Sequence, residues 1–179
     1  MKANQGRYEI ILAGSGGQGL VLSGMMLAEA AILEGKNTVQ TQSYGIASRG
    51  GLSLAEVIID DREIIFQQVQ EPDVVLALTE ESLERYQALA GQGVPVFYDT
   101  TLARARSGAN LFGHPFTRIA SELGNSASVN ILALGALAAA CPIVKTESLE
   151  MVIRGRFRKE AAELNMKALR MGIGLVRGA

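Results

Sequence analysis

The sequence predicts an α/β domain: three αβα layers around a mixed, mostly parallel sheet, Rossmann-like in plan. Three observations carry this. Short apolar runs of β type alternate with longer helical stretches. The first run ends in a glycine-rich turn that leads straight into a helical stretch. The pair Asp60-Asp61 between two β-type runs signals a hairpin, so the sheet cannot be purely parallel.

In chain order, residues 8–13 (YEIILA) form the first strand. Gly14-Ser15-Gly16-Gly17-Gln18-Gly19 follows, then a helix to about Glu34, stopped by Gly35. Residues 38–42 are the second strand, 43–51 a glycine-rich loop and 52–59 the third strand, with 62–66 pairing back on it across Asp60-Asp61. Residues 74–78 (VVLAL) and 94–98 read as buried strands, joined by a helix that Thr79 caps and that runs to about Ala90. Residues 99–113 read as irregular. A helix over 115–123 closes at Gly124, and Ser128 caps another over 129–140 that Pro142 ends. Residues 146–154 and 158–171 are the last helices. No repeat, linker or low-complexity tract divides the chain, so residues 1–179 form a single domain.

The composition narrows the function classes. A chain of 179 residues, 48% hydrophobic and 20% charged, buries a core without disulfides or metals. A net charge of −1 gives no electrostatic footprint for nucleic acid or an anionic membrane. Cys141 is the one cysteine, whereas an iron–sulfur cluster takes about four, so any cluster sits on another chain. His114 is the one histidine, which excludes histidine-rich metal sites. No run is apolar for long enough to span a bilayer, and the first residues lack the pattern of a secretory signal, so the expected location is cytoplasmic. Cys141 reads as a small buried hydrophobe, His114 as a surface or capping residue, and RGRFRK at 154–159 as a solvated helix start.

Two helices lack a polar face. Residues 20–33 carry only Ser23 and Glu29 as polar side chains, and residues 129–140 only Asn130. Either both helices are buried within the domain, or part of their surface meets another subunit. The second case predicts that the isolated chain self-associates, as a homodimer. The Asn130 amide on an apolar stretch requires a hydrogen-bond partner.

Gly14, Gly16 and Gly19 match the G-x-G-x-x-G spacing between a strand and a helix. Such a turn lets backbone approach a ligand and aims the N–H groups of a helix start at an anion. An NAD site wants a carboxylate at the end of the second strand, where this chain reads Val39-Gln40-Thr41-Gln42. A Walker loop wants Lys-Ser/Thr after its last glycine, where this chain has Leu20-Val21. Gln18 adds a polar side chain that neither motif requires. A phosphate or other anion site and a ligand-free tight turn both fit. Arg49, beside Gly50 and Gly51, offers a forked donor to an anion or carboxylate, or is a solvated turn residue. The order Ser15, Asp99, His114 permits a rival reading as a hydrolase triad. That reading is weakened because a nucleophile on the first strand has no preceding strand to supply an oxyanion loop.

Gly14-Ser15-Gly16-Gly17-Gln18-Gly19, Ala28-Glu29-Ala30, Ser43-Tyr44-Gly45, Arg49-Gly50-Gly51, Pro72-Asp73-Val74, Gly124-Asn125 and Asn130-Ile131-Leu132-Ala133-Leu134-Gly135 occur in this order. Together they resemble the gamma subunit of the pyruvate/2-oxoacid:ferredoxin oxidoreductase family over residues 8–157, most of all the gamma chains of 2-oxoglutarate and 2-oxoisovalerate enzymes. The resemblance implies a complex that decarboxylates a 2-oxoacid on thiamine diphosphate, passes electrons through iron–sulfur clusters to ferredoxin and forms an acyl-CoA. It also implies that the thiamine and clusters belong to alpha and beta subunits and a ferredoxin-like subunit or domain. The gamma chain then frames the coenzyme A region, holds the assembly together and turns over nothing alone. Carried onto this sequence, the cofactor contacts are Gly14, Ser15, Gly16, Gly17, Gln18, Gly19, Arg49 and Gly50, with no catalytic residue and no metal ligand. The alternative is a stand-alone nucleotide- or CoA-binding protein.

Overall fold

A computed structural model describes residues 6–44 and 51–177. Within them six strands form one sheet in the order β2-β3-β1-β4-β5-β6. β1 (Tyr8–Ser15), β4 (Val74–Ala77), β5 (Val96–Asp99) and β6 (Leu111–His114) are parallel. β3 (Leu52–Asp60) runs antiparallel to both β1 and β2 (Asn37–Tyr44). The sheet is mixed and mostly parallel, as the sequence predicts. Ile10 and Leu12 of β1 enter one core while Ile11 and Ala13 enter the other. Both faces of the central strand are covered, which is why its sequence is continuously apolar and not alternating.

The two helical layers are unequal. α1 (Leu20–Leu33), α3 (Phe116–Glu122), α4 (Val129–Ala140), α5 (Thr146–Arg156) and α6 (Lys159–Arg177) share the larger core. The short α2 (Glu80–Tyr86) and the 3-10 turn Gln87–Gln92 cover the other face. The helix expected to reach about Ala90 therefore tightens after Tyr86. Thr79 caps α2 in a reciprocal box with Ser82.

α4 is enclosed. Every residue from Val129 to Leu137 is buried, and α1, α3, α5 and α6 surround it. Two glycines set its contact with α6: a Cβ at Gly135 would collide with the Leu169 carbonyl, and one at Gly172 with the Leu132 carbonyl. The helices thus meet backbone to backbone, closer than any side chain allows. α1 differs, because it leaves Ile32 58% and Leu33 55% exposed.

Three local expectations are corrected. Residues 62–66 do not pair with β3, because β1 and β2 already flank it and neither edge is free. The antiparallel component comes from β3 lying between β2 and β1 instead. The stretch 99–113 is not wholly irregular, since residues 111–114 of β6 pair with β5 at the sheet edge. Gly113 hides that strand in sequence, yet a Cβ there would stand 2.6 Å from the Tyr98 ring. Ser128 holds the N-cap position of α4 but does not cap with its hydroxyl, which donates instead to the Asn125 carbonyl at 2.7 Å.

The residues between β3 and β4 form a strap held by buried carboxylates. Arg7 reaches Glu9 at 2.7 Å and Asp60 at 3.2 Å. Glu9 accepts from the N–H groups of Gln70 and Glu71 at 2.7 and 3.0 Å, and its own N–H donates to Asp73 at 2.9 Å. Asp60 accepts from the Arg62 N–H at 3.0 Å, which turns the chain out of the sheet. Burial alone would raise the Asp60 carboxyl, but the Arg62 N–H and the Arg7 guanidinium outweigh it and hold it below the ordinary carboxylate value.

Two outcomes follow from this packing. Gly172→Ala lowers stability by about 1–3 kcal/mol, the usual cost of overpacking, because backbone and not a flexible side chain must move; thermal unfolding measures it. Because the Asp60 value is lowered in the fold, its stabilisation is complete above the unfolded carboxylate value and is lost as pH falls through the folded one. Denaturant midpoints should therefore fall below about pH 5, and less steeply in Asp60→Asn.

Candidate functional site

β1 and β4 are adjacent and parallel, and the helices that follow them leave to opposite faces. α1 packs into the larger core, whereas Leu83 of α2 packs into the smaller one. Such a divergence opens a crevice at the C-terminal ends of the two strands, where α/β sheets bind ligands. The 14–19 loop lies at the C-terminal end of β1 and joins it to α1.

Two side-chain amides fix the loop. Gln18 Oε1 accepts from the Ser15 N–H at 2.8 Å, and Gln18 Nε2 donates to the Leu78 carbonyl at 3.3 Å. Gly14 is glycine because a Cβ there would collide with Gln18 Oε1. From α4, Asn130 Nδ2 donates to the Gly19 carbonyl at 3.1 Å. The partner that the sequence demanded for Asn130 is therefore loop backbone. Gly17 and Gly19 adopt φ of 90° and 73°, in the left-handed region that favours glycine.

The loop presents donors. Gly16 and Gly17 are exposed, with open space where a Cβ would stand. Among the described residues no carbonyl accepts from the N–H groups of Gly16, Gly17, Gly19 or Leu20. No acidic side chain occupies the first turn of α1, and Gly19 provides no side-chain cap. Open N–H groups at the start of a 14-residue helix are donors of the kind that receive anions. Of the sequence-predicted residues, the structure brings Gly14, Ser15, Gly16, Gly17, Gln18 and Gly19 together. Gln18 serves the loop's own shape, with its amide spent on Ser15 and Leu78. Arg49 and Gly50 lie outside the described residues. Leu52, two residues after Gly50, stands beside Ser15 in the sheet register.

The rival triad is not assembled. β4 separates β1, which carries Ser15, from β5, which carries Asp99. Asp99 and His114 are register neighbours, but the Asp99 oxygens accept from the Thr101 N–H at 2.9 Å and from the Thr117 N–H at 3.0 Å. His114 packs on Phe116, and burial lowers its pKa. Cys141 lines a cavity of about 580 Å³ at the opposite end of the sheet, with Tyr8, Asp73, Leu89 and Val94. Burial, then the Asp73 charge, pushes its thiol up to about 11, so it is protonated and a poor nucleophile near neutrality. Among the described residues no group of three His, Cys, Asp or Glu side chains could hold a metal, and no helix is long and apolar enough to cross a membrane.

Comparison with known proteins identifies the fold and the family. Residues 9–175 match the family described as pyruvate ferredoxin/flavodoxin oxidoreductase. The 2-oxoglutarate synthase subunit KorC of Archaeoglobus fulgidus is 43% identical, with 94% of this chain and 87% of that protein aligned. The ketoisovalerate oxidoreductase subunit VorA of Methanothermobacter thermautotrophicus is 32% identical over 90% of this chain but only 35% of that longer protein. The crystal structure of the keto/oxoacid ferredoxin oxidoreductase gamma subunit from Geobacter sulfurreducens superposes with a TM-score of 0.85 at 38% identity, covering 97% of this chain and 98% of that one. This chain belongs to the pyruvate ferredoxin/flavodoxin oxidoreductase family, as a gamma-type subunit.

Proposed function

We propose that the chain serves a 2-oxoacid:ferredoxin oxidoreductase by holding a phosphate of coenzyme A in the 14–19 loop, with Arg49 and Gly50 as further contact residues. The observation that carries this is the set of N–H groups of Gly16, Gly17, Gly19 and Leu20, unpaired among the described residues, at the strand ends where α1 and α2 diverge. A phosphate fits such a set without any acidic neighbour in the first helical turn to repel it. Ser15 borders the loop at the β1 end, and its N–H is already engaged by Gln18. Leu52 follows the 49–51 glycine stretch and pairs with Ser15, so the chain carrying Arg49 enters β3 at this end of the sheet.

The rest of the reaction belongs to partners. One cysteine is too few for an iron–sulfur cluster, and among the described residues no group of His, Cys, Asp or Glu side chains could hold a metal. Alpha and beta subunits and a ferredoxin-like subunit or domain supply the thiamine diphosphate and the clusters, and ferredoxin takes the electrons, in the cytoplasm. Thiamine diphosphate supplies the electron sink for decarboxylation on those partners. This chain's residues bind and orient the thiol-bearing acceptor and transfer no proton or electron. The substrate is 2-oxoglutarate or 2-oxoisovalerate, the acids named for the two relatives. The alternative of a stand-alone CoA-binding protein is not favoured, because these relatives are subunits.

Gly16→Asp tests the loop in the reconstituted complex. Gly16 is exposed, has open space and lies outside the left-handed region, so the fold tolerates a side chain there. A carboxylate at this place should raise KM for coenzyme A about tenfold or more, the loss of one charge-assisted hydrogen bond, with KM for the 2-oxoacid unchanged. An unchanged KM for coenzyme A removes the proposal. The separately purified chain should neither consume 2-oxoacid nor reduce a dye.

A further inference from the structure

Asn130 stands out from its helix. It is 2% exposed among residues that are otherwise apolar, and its Oδ1 has no hydrogen-bond partner among the described residues. A buried amide with an unpaired oxygen costs stability, and a leucine of the same branched shape would carry no such penalty. Among the described residues its side chain bonds only the Gly19 carbonyl, at 3.1 Å, across 111 residues of sequence. The same carbonyl accepts from the Ser23 N–H at 2.9 Å, the first bond of α1. Contact is tight as well as polar: a Cβ on Gly19 would stand 2.5 Å from Asn130 Nδ2. Gly19 is the residue at φ 73° whose turn separates the open N–H groups of Gly16 and Gly17 from those of the helix start. The Gln18 amide, by contrast, ties the Ser15 N–H and the Leu78 carbonyl and makes no hydrogen bond to the Gly19 carbonyl.

We infer that Asn130 is the positioning residue of the anion loop. Its amide pins the Gly19 carbonyl from α4, which keeps the N–H groups on both sides of Gly19 converging on one anion. It does not touch the ligand. Its contribution is to hold the donors in place before binding, so that the ligand need not order them. The inference rests on the reading that the 14–19 loop holds a phosphate of coenzyme A.

The test uses the reconstituted complex and coenzyme A, with amide hydrogen exchange and steady-state kinetics. Wild type comes first: coenzyme A should slow exchange at residues 16–20, and absence of protection sinks the loop reading itself, and this inference with it. Given protection, Asn130→Leu keeps the side-chain shape and removes the bond. It should raise KM for coenzyme A about tenfold, leave kcat at saturating coenzyme A within about twofold, and speed exchange at residues 17–19 without ligand. Its melting temperature should equal or exceed that of wild type, since the unpaired oxygen is gone. A merely structural asparagine predicts changed melting with unchanged KM. Asn130→Ala, which leaves space where leucine fills it, serves if the first variant does not assemble, with the same rise in KM expected. Wild-type KM for coenzyme A in either assembled variant overturns the inference while leaving the loop reading intact.

Discussion

The fold depends on enclosing α4. A helix whose side chains are apolar on every side cannot face water, so other elements must cover it completely. α6 does most of that covering, and it can do so only because Gly135 and Gly172 let two backbones touch. Close approach of this kind leaves little freedom in helix position. The start of α4 is thereby fixed against the start of α1, and Asn130 arrives at Gly19. Core packing and loop geometry are one constraint seen from two ends.

The sheet is also electrically divided. At the N-terminal end of β1, the carboxylates of Glu9, Asp60 and Asp73 are drawn into a network with Arg7 and the strap backbone. At the C-terminal end of β1 the described loop offers unpaired N–H donors and no carboxylate. Carboxylates do occur nearby at the start of α2, but Glu80 is engaged by the Arg104 N–H and by Arg106, which hold its pKa down. The acids at one end of β1 are thus paired with cations and backbone N–H groups, while the donors at the other end stay open.

What could be read in the sequence was whatever local chemistry decides. β1, the glycine loop and α1 are legible because an apolar run, glycines at fixed spacing and a helical stretch follow one another within 26 residues, from Tyr8 to Leu33. The Thr79 cap is legible because its partner Ser82 is three residues away. The hairpin at Asp60-Asp61 is misread because strand pairing depends on which edges are already taken, and residues far away in sequence take them. β6 is missed because a four-residue strand containing Gly113 has no pattern of its own and relies on β5 to define it. At the site, the glycines announce a close approach, but sequence could not say that Gln18 is consumed by Ser15 and Leu78. It could say that Asn130 needs a partner, and only the fold could supply Gly19.

Part of the domain's apolar surface stays uncovered by its own elements. α1 carries almost no polar side chains, and α4 and the sheet cover only one side of it. Ile32 and Leu33 remain exposed beside Val152 of α5, and Met151 is 60% exposed on that helix. On the strap, Ile65 is 90% exposed although both strap ends are tied down by Glu9 and Asp60. Single exposed apolar residues are ordinary, but two such places on segments whose backbone is firmly held are what an interface requires, because little order remains to be gained on docking. In the longer relative the matching region spans about a third of the chain. What the described residues offer is open backbone donors at the end of β1 and apolar places on the surface of α1, α5 and the strap.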